Sequence, residues 1–202
     1  MEDAKPDLIE VRLDYSSQKV NLHRIRSVID IPLIGTVRDP IQGGLWRRSE
    51  QDRIRLLLEA SEGGFDYIDI ETTTKDVEGI IDEVRKTGSK VILSHHDFLG
   101  TPTQEAMQLV LRNAQTLDCD YCKIVGTATS SLDNLPYMNF LVDNPGNIAF
   151  GMGEIGTPSR VMCPIVGGAW AYASSTKKNE VASGQLTIED LRKIYRLMGV
   201  ER

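Results

Sequence analysis

Residues 9–14 read IEVRLD. Ile9, Val11 and Leu13 alternate with Glu10, Arg12 and Asp14, the period of two that sends successive side chains of a strand to opposite faces. One face packs against apolar neighbours and the other carries three charges. An open doubly wound sheet commonly sets a Gly-rich phosphate loop after its first strand, and nothing like G-x-G-x-x-G follows Asp14. A closed barrel with a polar pocket at its mouth gives the charged face a place to go.

The rest of the chain keeps one rhythm. Strands are expected at 7–14, 32–38, 66–71, 90–95, 120–126, 147–153 and 169–174, with amphipathic segments among them. Several helix ends are written locally. Ser49 and Asp52 have capping-box spacing before RIRLLLEASEGG, which stops at Gly63-Gly64. KDVEGIIDEVRKTG stops at Gly88, and Thr103 caps QEAMQLVLRNAQTL. Pro158 follows Thr157 at the start of a short helix. Thr187 pairs with Asp190 ahead of a helix ending at Gly199. Strict β-α alternation implies a parallel sheet. The expected fold is α/β, a TIM-type (β/α)8 barrel occupying residues 1–202 as a single catalytic domain. Only seven strands are evident: either one strand goes unread, or the chain starts late and the first βα unit is missing. Its loss would leave two unpaired edges.

Composition narrows the partners. The net charge of −6 argues against nucleic acid, yet a few arginines suffice to hold a small carboxylate. No apolar run approaches the roughly 18 residues of a membrane span. MEDAKPDLIE lacks the apolar region of an export signal, so the cytoplasm is expected. Cys119 and Cys122 have C-x-x-C spacing, but in a strand an offset of three points them apart. Buried thiols are the plain reading, redox or metal use the alternative. No second C-x-x-C completes a zinc site, and no metal is expected.

Chemistry gathers at the strand ends: Arg38, Asp69, Glu71, His96 and Lys123. KVILSHHDF sets His95 beside His96 where an apolar strand runs out. Neighbours on a strand face opposite ways, so one histidine is functional and the other structural, or the strand ends at His95. Lys123 stands inside DYCKIVG. Burial there lowers an ammonium pKa and makes the amine nucleophilic, the requirement for an imine on a ketone or aldehyde. The plain alternative is an edge lysine reaching water. A nearby histidine would move the proton that the imine acidifies. Glu71 either orients that histidine or makes a salt bridge at the barrel rim.

Over essentially its whole length the chain resembles the type I 3-dehydroquinate dehydratases. The resemblance rests on IEVRLD, GTVRDPIQGG, DYIDIE, SHHDF followed by TP, YCKIV, MGEIGTPSR and ASGQLTIEDL, in that order. It implies a Schiff-base enzyme of the shikimate pathway that converts 3-dehydroquinate to 3-dehydroshikimate without cofactor. It implies Lys123 as the imine-forming lysine, His96 as general acid and base, and Glu71 as the carboxylate paired with that histidine. Glu10, Arg12 and Arg38 are implied on the hydroxyl side of the substrate. Arg160 is implied as the carboxylate clamp, with Ser183 and Gln185 in a closing loop. Relatives are often dimers, so a homodimer is expected. Two other readings use the same residues: a class I aldolase-like lyase, and an inactive chain whose barrel lacks its first strand.

Overall fold

The computed structural model describes residues 6–177 and 182–200. Residues 1–5 of the stretch read for an export signal, and residues 178–181 of the loop expected to close over the site, lie outside the described residues. By its internal contacts the chain divides into two compact units.

The first unit holds residues 6–95 and 110–122. Its strands β1 (Ile9–Arg12), β2 (Leu33–Thr36), β3 (Tyr67–Glu71) and β4 (Lys90–Asp97, which runs on into the second unit) are parallel and pair in sequence order. The register sets Ile9 against Leu33, Thr36 against Asp69, and Glu71 against Ser94. Helices α1 (Leu22–Val28), α2 (Glu50–Glu62) and α3 (Val77–Lys86) belong here. Leu33, Ile68, Ile70, Val91 and Ile92 are wholly buried, as are Leu57 and Ala60 of α2 and Val84 of α3. A strand buried on both faces loses its alternation, and β2 reads LIGT with every residue buried. Gly35 lets α2 come close. A Cβ there would lie 3.2 Å from Ala60 Cβ and equally near Phe65 and Ile68.

One device recurs at the feet of the strands. Asp66 precedes β3 and accepts the N–H of Leu33 at 2.8 Å; Asp120 accepts the N–H of Val91 at 2.8 Å. Each aspartate is followed by a tyrosine, and the Tyr67 and Tyr121 rings pack with centroids 5.9 Å apart.

The second unit holds residues 96–109 and 123–202. Strand β5 (Tyr121–Thr127) enters it at Lys123 and pairs in parallel with β6 (Ile148–Met152), Lys123 against Ile148 and Val125 against Phe150. Helix α4 (Gln104–Thr116) begins in this unit; α5 (Asn134–Asp143), α6 (Thr157–Met162) and α7 (Ile188–Leu197) lie wholly within it. Tyr137, Phe140, Ile148 and Ala149 are fully buried.

The local end signals hold. Ser49 Oγ accepts from Asp52 N–H at 3.1 Å, Thr103 Oγ1 from Ala106 at 3.2 Å and Thr187 Oγ1 from Asp190 at 3.1 Å. Two helices, α1 and α5, carry no strong local pattern. Helix α1 is capped by Asn21, which accepts from Arg24 N–H at 2.9 Å. Helix α5 exposes Leu135 and Val142 and holds Pro136 in its first turn, so its face does not stand out.

The strand count is corrected. Six strands exist among the described residues; 169–174 is not the seventh. Its ends are tied by Ala169 N–H to Asn147 O and Ser174 N–H to Leu186 O, and only Ser174 makes a bridge, to Thr187. Between them the carbonyl of Trp170 accepts from Cys163 Sγ at 3.3 Å. The alternation of AWAYA is not that of a ladder; within it the Tyr172 ring packs on Phe150. Asp14 also leaves its expected strand, lying in a 3-10 turn over Leu13–Tyr15.

Candidate functional site

The first unit gathers charge beyond β2 and β3. Arg38 is 3% exposed. Its Nη2 lies 2.8 Å from Asp69 Oδ2, and its Nη1 donates to Glu71 Oε1 at 3.1 Å and Ser94 Oγ at 2.6 Å. Burial alone would loosen its proton; the charges of Asp69 and Glu71 outweigh that and hold the guanidinium firmly protonated. Ser94 Oγ in turn donates to Asp69 Oδ1 at 2.6 Å. The other oxygen of Glu71 accepts from Arg53 Nη1 at 2.5 Å. Glu10 accepts from Thr36 Oγ1 at 2.8 Å, and its charge also acts on Arg38.

Arg12 binds Asp14 through Nε and Nη2, both at 2.8 Å, and its guanidinium lies 4.7 Å from the Tyr15 ring centroid. Burial would raise the Asp14 pKa; the Arg12 fork and backbone donors at Leu45 and Arg38 bring it below its ordinary value. Glu10, Arg38 and Glu71 are therefore brought into one neighbourhood, Arg38 and Glu71 by a hydrogen bond and Glu10 by its charge. Arg12 joins it through Asp14 and the Arg38 backbone.

The second unit holds the lysine. Lys123 is 5% exposed, and its Nζ lies 4.3 Å from the centre of the Tyr172 ring. That ring packs on Phe150 at 6.0 Å, and Phe150 lies 4.4 Å from the guanidinium carbon of Arg160. A lysine and an arginine thus flank an aromatic pair. Arg160 is 5% exposed, and its Nε is buried with no hydrogen-bond partner among the described residues. Burial pulls its pKa down to about 10. A desolvated guanidinium of this kind favours an arriving anion.

Gln185 and Ser183 sit on the loop beside the start of α6. The Ser183 carbonyl accepts from Gly153 N–H at 3.2 Å, and the Gly184 carbonyl from Thr157 Oγ1 at 3.2 Å. Gly184 has φ +78°, and a Cβ there would run into the Gly153 carbonyl. The Gln185 side chain is buried; Ser183 is exposed.

Both histidines lie on β4, which runs to Asp97 rather than ending at His95. His95 Nδ1 is 3.2 Å from Thr72 Oγ1 in the first unit. His96, in the second, stacks near-parallel to Phe98 at 6.5 Å. Cys119 falls in the turn before β5 rather than in the strand. Burial raises Cys119 and Cys122 to about 12 and Cys163 to about 11, leaving three protonated thiols. Arg53, Ser94 and Tyr172 were missed as site residues, and Asp69 was read at a strand end without a role. Arg53 reads in sequence as one more charge on a helix. Tyr172 reads as part of a strand.

The type I 3-dehydroquinase family model matches residues 1–202. A 3-dehydroquinate dehydratase of Dehalococcoides mccartyi is 34% identical over 194 residues, 95% of this chain and 86% of the relative. One from Thermococcus gammatolerans is 35% identical over 192 residues, 95% and 88%. Among solved structures, the type I 3-dehydroquinate dehydratase of Clostridium difficile with covalent modified comenic acid superposes with a TM-score of 0.87 at 28% identity, covering 98% of this chain and 83% of the other. The Aquifex aeolicus 3-dehydroquinate dehydratase gives 0.82 at 25% identity, covering 97% and 90%.

Proposed function

The chain belongs to the type I 3-dehydroquinase family, and on that premise we propose that it dehydrates 3-dehydroquinate to 3-dehydroshikimate through an imine on Lys123. The observation that carries this reading is a lysine 5% exposed on a strand, within reach of an aromatic face and in the same unit as a desolvated arginine.

In this reading neutral Lys123 Nζ attacks the substrate ketone, and His96 assists loss of water from the carbinolamine. The cationic imine acidifies the neighbouring C–H. His96 removes that proton and an enamine forms. The enamine expels the ring hydroxyl as His96 returns a proton. A water then hydrolyses the imine, so one water is lost overall. General acid–base help of this kind contributes about 10²–10⁴-fold. Glu71 is the carboxylate paired with His96. Glu10, Arg12 and Arg38 take the hydroxyl side of the substrate. Arg160 takes its carboxylate through a planar fork suited to both oxygens, and Ser183 and Gln185 close over it. The proposal includes a TIM-type barrel, a cytoplasmic location and a homodimer, the last checked by sedimentation.

The test is borohydride trapping. The protein is incubated with 3-dehydroquinate, reduced and digested, and the added mass is located. An adduct on Lys123 is expected. It is retained in His96→Ala, which loses turnover, and is absent from Lys123→Ala. Normal turnover in His96→Ala would sink the histidine assignment. Turnover without any adduct would sink the imine.

A further inference from the structure

Arg53 lies on a helix, four residues after its N-cap, yet it is only 1% exposed. All three of its nitrogens are engaged. Nη1 donates to Glu71 Oε2 at 2.5 Å and to the Val37 carbonyl at 3.1 Å. Nη2 donates to Glu50 Oε1 at 2.7 Å and Thr74 Oγ1 at 3.0 Å, and Nε to Glu50 Oε2 at 2.7 Å. The first two partners decide what this does. Val37 precedes Arg38 in the chain. Glu71, with Oε2 held by Arg53, offers Oε1 to Arg38 Nη1 and to the N–H of Asp39, each at 3.1 Å. Arg38 is therefore gripped at the carbonyl before it, at the amide after it and at its own side chain. Arg53 makes the first grip directly and the other two through one carboxylate.

The charges agree with the geometry. Asp69 and Glu71 are buried carboxylates, and Arg38 and Arg53 are the buried cations that face them. With Arg53 gone, two carboxylates would confront one guanidinium, and both Glu71 oxygens would be open to it. A carboxylate so placed chelates an arginine with both oxygens, drawing Arg38 toward β3. We propose that Arg53 is a positioning residue: it holds Glu71 by one oxygen and the Val37 carbonyl, and so fixes the direction in which Arg38 meets substrate. The inference rests on the reading of Arg38 as a substrate-binding group.

The experiment compares Arg53→Met and Arg53→Lys with the wild type in two ways. The guanidinium ¹⁵N signals of Arg38, assigned by Arg38→Lys, are read without substrate. They move in both variants if Arg53 positions Arg38. The kinetics of 3-dehydroquinate turnover follow. In Arg53→Met, KM rises about 10- to 100-fold, by analogy with removal of the outer partner that orients a metal ligand. Its kcat stays near the wild type, the mark of lost binding common to ground and transition states. Arg53→Lys keeps a charge but has no fork for Glu71 and Val37 together, so its KM rises less. A merely structural Arg53 would lower the melting temperature and leave KM untouched; that result overturns the proposal. Should Arg53→Met not fold, Arg53→Lys with wild-type KM or unmoved Arg38 signals overturns it as well. Arg38 signals that move in the variants, beside a wild type that does not turn over 3-dehydroquinate, would sustain the positioning and defeat the proposed function.

Discussion

Arg38 and Arg160 are buried to nearly the same degree, 3% and 5% exposed, and are held in opposite ways. Arg38 faces Asp69 and Glu71, and their charges overcome the cost of burial and secure its proton. Arg160 faces the Phe150 ring, and burial lowers its pKa to about 10. Desolvation is the same penalty in both places; what differs is the compensation. A cation neutralised within its own unit is a fixed part of the scaffold with a directed remainder. A cation resting on a ring, which returns about 1–2 kcal/mol, is the one we propose meets an anion from outside. The comparison separates an arginine that is built in from one that is kept ready.

The strongest way to break this contrast is to remove each cation in turn. Arg38→Met leaves Asp69 buried without its guanidinium and Glu71 with Arg53 alone. Breaking such a pair costs about 3–5 kcal/mol, seen as a lower midpoint in urea unfolding. Arg160→Met deletes a cation whose Nε has no hydrogen-bond partner among the described residues. Its unfolding midpoint holds or rises. Its affinity for 3-dehydroshikimate, measured by calorimetry, falls by about 1.5–3 kcal/mol, the worth of hydrogen bonds to a charged group. Equal destabilisation by both substitutions would erase the distinction.

A smaller change supplies the baseline. Thr187→Ala removes the cap that accepts from Asp190 at the start of α7. It should cost about 1 kcal/mol and leave ligand affinity as it was. A change in affinity would mean that α7 reaches the loop through Ser183 and Gln185 more directly than its cap suggests.

The smallest effect concerns pH. The folded pKa of Arg160 lies below that of the unfolded chain. Below about 10 both states hold the proton, and the cost of burial is constant. Above about 10 the folded protein releases it while the unfolded chain keeps it, so this group adds stability as pH rises. Raising the pH by half a unit past that point is worth about 0.5 kcal/mol. Arg160→Met should flatten the stability curve in that window. An unchanged slope would mean that Arg160 has a partner in solution.

Much of the fold was legible in the chain because helix ends are local. Ser49, Thr103 and Thr187 each bond a backbone N–H three residues on. Buried strands such as LIGT and YIDIE announce themselves by apolar, β-branched runs. The segment 169–174 misled because alternation records which faces side chains take, not whether a ladder exists beside them. Of the site, Lys123 was legible as a charge inside an apolar strand, and Arg38 as a charge just beyond one. Arg53 was not. On a helix surface an arginine is ordinary, and only the docking of α2 on the β2 and β3 ends brings it to Glu71 and the Val37 carbonyl.

Strands β1 to β6 and the capped helices follow from short stretches of the chain, because propensity, capping and periodicity act over a few neighbouring residues. Which charges neutralise one another was settled by folding. The Coulomb and desolvation energies of Arg38, Arg53 and Arg160 depend on distances between different elements, and those distances exist only once the chain has folded.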